Sequence, residues 1–193
     1  MSAQRWSAWS FACVLAAACL FVLPSVAASS DIIDQANDSV TPSVGWNIAG
    51  YWPMGQEFTP SLQFVDFVEL YVENWSSTAV GAVQVELHLG SVHGALLGST
   101  GTVSVPSDFV GVVRCVFPST VDVAPGQLHA FVVLDHSFAG LTLFDTDDLY
   151  PSGRLVLDGG PFPTEDAWFR EGMSSTGAAE PDVTWGAIKG LFR

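Results

Sequence analysis

The feature that most limits what this chain can become is a succession of short apolar alternations separated by turn residues. Val83, Val85, Leu87 and Leu89 alternate with Gln84, Glu86 and His88, the period of two that sends one side of a strand into a core and the other into water. Val68, Leu70 and Val72 alternate with Glu69, Tyr71 and Glu73 in the same way. Residues 110–117 and 128–134 are denser β-branched and aromatic runs, which predicts more fully buried strands. Shorter strands are expected at 102–105, 141–144 and 154–157. Gly and Pro clusters at 98–101, 124–127, 150–153 and 159–161 punctuate them. Within the second cluster, Pro125-Gly126 suits the centre of a type II turn. Strands recurring about every ten residues, with no helical period between them and no internal repeat, predict an all-β chain folded as a single antiparallel β-sandwich.

The first 28 residues have another character. Arg5 precedes an unbroken apolar run over 11–23, Pro24 breaks it, and Ser25-Val26-Ala27 supplies small residues at a cleavage position. That layout predicts a signal peptide over 1–28, helical until it is cut after Ala27 or Ala28. Its apolar run is shorter than the roughly 20 residues a spanning helix needs, so no stable membrane span is expected after cleavage. The mature chain is expected to be secreted, in the periplasm or outside the cell. The signal takes Arg5, Cys13 and Cys19 with it. Of six basic residues five then remain against 20 acidic ones. So acidic a surface repels nucleic acid and suits cations, neutral sugars or cationic partners. Cys115 is left without a disulfide partner, and alternation places it with Val113 and Phe117 as a small buried apolar residue.

Residues 29–171 are read as the sandwich domain, 172–182 as a small, polar, turn-rich linker, and 183–193 as a short amphipathic tail. In the tail, a helix capped by Thr184 would place Trp185, Ile188 and Phe192 on one face. The linker is long enough to detach this segment, which is expected to engage export or assembly machinery.

No residue set stands out as catalytic. There is no nucleophile elbow and no phosphate-binding glycine loop, and carboxylate pairs are expected by chance in a chain this acidic. The expected work is therefore non-enzymatic. His88 and His93 flank a turn without a third zinc ligand, and the four histidines are read as surface residues. Asp145, Asp147 and Asp148 form the one dense carboxylate run, so calcium is the cofactor this loop invites, though the spacing is not that of an EF-hand. Aromatics beside loops are more suggestive. Trp52, Trp75 and Tyr150 are taken as ligand-binding candidates, because aromatic faces next to carboxylates and amides are what pyranose rings stack on. Asn74-Trp75-Ser76 is a glycosylation sequon, of consequence only in a eukaryotic host.

Several segments together carry a resemblance: Gln56-Glu57-Phe58-Thr59-Pro60, Val65-Asp66-Phe67-Val68-Glu69-Leu70, Gly94-Ala95-Leu96-Leu97-Gly98-Ser99-Thr100, Val103-Ser104-Val105-Pro106, Val123-Ala124-Pro125-Gly126, Tyr150-Pro151-Ser152-Gly153 and Asp166-Ala167-Trp168-Phe169-Arg170. Over residues 50–171 the chain resembles secreted bacterial jelly-roll-like β-sandwich domains of the kind often found in PEP-CTERM-tailed proteins. The sorting tail itself is not matched: only Glu180-Pro181 and about eleven residues stand where Pro-Glu-Pro, a spanning helix and a basic cluster belong. The ending instead looks like short Thr-Trp-Gly-x-Ile-Lys tails of other secreted bacterial proteins. The resemblance implies a jelly-roll-like fold akin to carbohydrate-binding modules and transfers no catalytic residue. The expected function is a non-catalytic module binding carbohydrate or another cell-surface ligand. The alternative is a structural component of the envelope or extracellular matrix, with a glycan-active enzyme third.

Overall fold

A computed structural model describes residues 30–38, 42, 44–137, 139–147 and 150–175. The signal peptide, the tail and most of the linker lie outside them. The described residues contain no helix. Their strands are β1 (Ile32–Asn37), β2 (Val44–Asn47), β3 (Met54–Phe58), β4 (Phe64–Asn74), β5 (Gly81–Leu89), β6 (Leu96–Ser99), β7 (Val103–Val105), β8 (Val110–Asp122), β9 (His129–Asp135), β10 (Leu141–Asp147), β11 (Leu155–Leu157), β12 (Gly160–Phe162), β13 (Glu165–Ala167) and β14 (Phe169–Met173). Every pairing is antiparallel. They form two sheets, and the protein is an all-β sandwich.

The first sheet runs β1-β14-β4-β10-β13, with β2 on β10 and β8 on β4. The second runs β12-β11-β3-β9-β5-β6, with β7 on β5. β4 organises the first sheet. Phe67 to Leu70 pair with β14 and Val72 to Asn74 with β10 along one side, while β8 follows the other. Between the sheets Phe58, Phe131 and Phe169 meet with ring centroids 5.4–6.5 Å apart, around the buried Val68, Leu70, Val85 and Leu87. Each fully buried ring contributes roughly 2–3 kcal/mol. Cys115 lies in this core, and burial pushes its thiol up to about 12.

Three expectations need correction. Residues 110–117 are not more fully buried than the alternating strands: Val113, Cys115 and Phe117 face the core, whereas Val110, Val112 and Val116 stand in solvent. A run of valines reads the same whether its second face is covered or not. Gly172 and Met173, read as linker, continue β14 as far as its pairing with β1. Gly172 is required there, because a Cβ would meet the Ile32 carbonyl oxygen at 2.0 Å. His129 is wholly buried, its Nδ1 bonded to the Gln127 carbonyl at 2.9 Å.

Candidate functional site

The register brings five connections to one end of the sandwich. β2 and β4 end there at Asn47 and Asn74, both beside the start of β10. β3 begins there opposite Val133, close to where β9 ends. Backbone bonds tie these loops together: Asp108 N to Ser76 O, Ile48 N to Leu141 O, Asp158 N to Tyr51 O and Gly159 N to Pro53 O. Gly159 sits at φ +71°, a left-handed conformation that favours glycine, with the His93 ring packed against it.

Trp52 and Trp75 both belong to this end. They are 60 % and 68 % exposed, the two largest side chains left open to water among the described residues. Leaving them uncovered forgoes about 2 kcal/mol of burial apiece. Trp75 is nonetheless held, its Nε1 donating to Thr142 Oγ1 at 2.8 Å. Trp52 precedes a cis proline in a segment gripped on both sides by the backbone bonds of Tyr51 and Pro53. Beside it Tyr51 packs edge-on against Trp46 at 5.1 Å, and Trp46 against Phe162 at 5.5 Å. The Asn74 side chain ties the neighbouring loops together. Its Nδ2 donates to the carbonyls of Ala79, Val105 and Pro106.

Tyr150, the third aromatic candidate, is elsewhere and does other work. It lies at the opposite end, 6 % exposed, its ring edge-on to Phe169 at 5.2 Å. Its hydroxyl accepts from Thr59 N at 3.2 Å and donates to Gln35 Oε1 at 2.9 Å. Burial, first among the causes, pushes the phenol up to about 12. With Pro151, Gly153, Arg154 and Pro163 it borders a shallow cavity of about 280 Å³, but its ring is spent on the core.

The carboxylate run also divides. Asp145 is 1 % exposed and accepts from Val44 N at 3.1 Å and from Trp46 Nε1. Asp147 is exposed, and Asp148 lies outside the described residues. Across the ladder Glu165 pairs with Asp147 and touches Asp145. That contact, then burial, pushes the Glu165 carboxyl up to about 7. Among the described residues no group of three or more His, Cys, Asp or Glu is arranged to hold an ion. Asp145 and Glu165 are in contact, closer than the 5–10 Å that separates the two carboxyls of a glycosidase.

One acid went unnoticed in the sequence. Glu171, fully buried in β14, has no donor in good geometry at either oxygen. Burial and then the neighbouring Asp34 push it up to about 9. The Arg170-Glu171-Gly172 context reads as surface, so no local signal points to it. No protein-family model matches the chain, and no curated protein is significantly similar to it.

Proposed function

We propose that this chain is a secreted, non-catalytic β-sandwich module that binds carbohydrate on the loop end carrying Trp52 and Trp75. One observation carries the reading: two large indoles stand exposed, and at least one is fixed by its own hydrogen bond, on loops that the register brings to the same end. A rigid, wet aromatic face costs little entropy when a sugar ring stacks on it. The acidic surface suits a neutral glycan better than an anionic one. The signal layout of residues 1–28 supports secretion. For the fold we infer a jelly-roll-like wrap, supported by the pairing of β1 with β14 inside one sheet and by the chain's repeated crossing between sheets. The resemblance to domains of PEP-CTERM-tailed proteins points the same way.

The test is a glycan array followed by titration of the best ligand. Trp52→Ala and Trp75→Ala are each expected to weaken binding at least about tenfold, the loss of one stacking contact. Tyr150→Phe is expected to leave it unchanged. Retention of full affinity by the Trp52→Ala, Trp75→Ala double variant would sink the reading.

A further inference from the structure

The outer face of the first sheet carries a strip of exposed apolar side chains along β8, interrupted by Arg114, which stands between Val112 and Val116 and pairs with Asp31 and Glu69. Along β8, Val110, Val112 and Val116 are 52 %, 44 % and 48 % exposed. Tyr71 pairs with Val112 and leans on Phe144 and Trp168, so the strip continues inward as an aromatic row. Glu73 sits opposite Val110 with no cation paired to it among the described residues.

The chain leaves the sandwich beside this strip. β14 ends at Met173. Ser174 N then donates to Asp66 Oδ2 at 3.1 Å, and Arg114 Nη2 donates to Ser174 Oγ at 3.0 Å. Asp66 is on β4 and Arg114 on β8, so the exit is tethered across β4 towards β8. Ser174 borders a groove of about 220 Å³ together with Val116, Phe117 and Thr120. Beyond it come residues 183–193, with Trp185, Ile188, Leu191 and Phe192 as apolar groups and Lys189 and Arg193 as two of the chain's few cations. Eight residues from 175 to 183 reach up to about 26 Å when extended. The strip from Val110 to Val116 is six residues of strand, about 20 Å, so all of it lies within the tether's range.

We propose that residues 183–193 dock in cis on this outer face, their apolar side chains over Val110, Val112, Val116 and Tyr71 and a tail cation at Glu73. The sequence alone sends the tail to other machinery. The place where the chain exits offers a nearer partner of matching polarity and opposite charge. A short tether holds the segment at an effective concentration on the order of 1 mM, so a contact with a Kd of about 0.1 mM in trans is roughly nine-tenths occupied in cis.

Disulfide trapping tests this. In the full chain with Cys13 and Cys19 changed to serine, Val112→Cys is combined with Ile188→Cys. Leu128→Cys with Ile188→Cys is the control, Leu128 being exposed on the approach to β9 in the other sheet. Cys115 is buried on the opposite side of β8 and stays out of the reaction. Mild oxidation followed by peptide mass mapping is expected to show a 112–188 bond within one chain, formed about tenfold faster than the control bond. A second pair, Val116→Cys with Leu191→Cys, guards against disturbance at position 112 and is expected to close as well. Equal rates for test and control pairs, or closure of neither test pair, would overturn the proposal. So would bonds that join two chains, which would make the occupant a second copy.

Discussion

The two ends of the sandwich use the same kinds of residue for opposite purposes. At one end Trp52 and Trp75 stand in water, their backbones fixed by bonds between loops. At the other, Tyr150 turns inward onto Phe169, and Glu171 is buried near it with the half-buried Asp34 alongside. All three aromatics sit beside a proline or a turn, which is why the sequence gives them one role. What separates them is the inside-or-outside choice of the loop, and long-range pairing makes that choice. Aromatics that close a core and aromatics that await a ligand are told apart by what their polar atoms hold. Tyr150 spends its hydroxyl on two distant segments, whereas Trp75 spends its N–H on the strand beside it and has no ring partner among the described residues.

Three measurements sharpen this contrast. The largest effect is expected from Tyr150→Ala, which opens a cavity and strands Thr59 and Gln35. Urea unfolding is expected to show a loss of about 3–5 kcal/mol. A loss under about 1 kcal/mol would mean that this end is as loosely built as the other.

The second measurement is pH. Glu171 is pushed up to about 9 when folded, far above the ordinary carboxylate value it regains on unfolding. The folded state therefore holds a proton that the unfolded chain has lost. The stability this confers is complete below about pH 4.5 and drains away as pH rises towards 9, by up to about 1.4 kcal/mol per pH unit. In Glu171→Gln that component of the slope is expected to vanish between pH 5 and 9. Parallel stability curves for the two proteins would contradict the burial of a neutral acid there.

The smallest effect belongs to the open end. Trp52→Ala and Trp75→Ala are each expected to change stability by less than about 1 kcal/mol, because little burial is lost. A drop of 3 kcal/mol at either would make that residue structural and erase the contrast.

Where one face of a strand is polar, the sequence reads well. β5 follows its alternation almost residue for residue, Val83, Val85 and Leu87 buried and Gln84 and Glu86 half-open. The Pro125-Gly126 turn is likewise as read, with Gly126 at φ +76° and Gln127 N bonded to Ala124 O. Reading fails where burial contradicts polarity or where apolar residues stay exposed. β1 and β14 hide Asn37 and Glu171, so their periodicity is masked. β12 is Gly-Pro-Phe and has almost no strand signature. In β8 the exposed valines imitate a covered face. At the candidate site the type of residue was visible in the sequence; its direction was not, because Asp145 and Tyr150 are drawn inward by partners a hundred residues away.

The buried Asn74 sets an order of events. Its side-chain nitrogen, the atom an N-glycan would occupy, is spent on three carbonyls in the folded domain, at 1 % exposure of the residue. Modification and folding thus compete for one atom. In a host with N-glycosylation machinery, a chain captured at Asn74 before β4 closes on its neighbours is barred from this structure. A chain that folds first is immune. Yield in such a host becomes a race between translocation and sheet formation, and Ser76→Ala, which abolishes the acceptor sequence and keeps Asn74 at the expense of the bonds from Thr78 N and Ala79 N to Ser76 Oγ, removes the competitor.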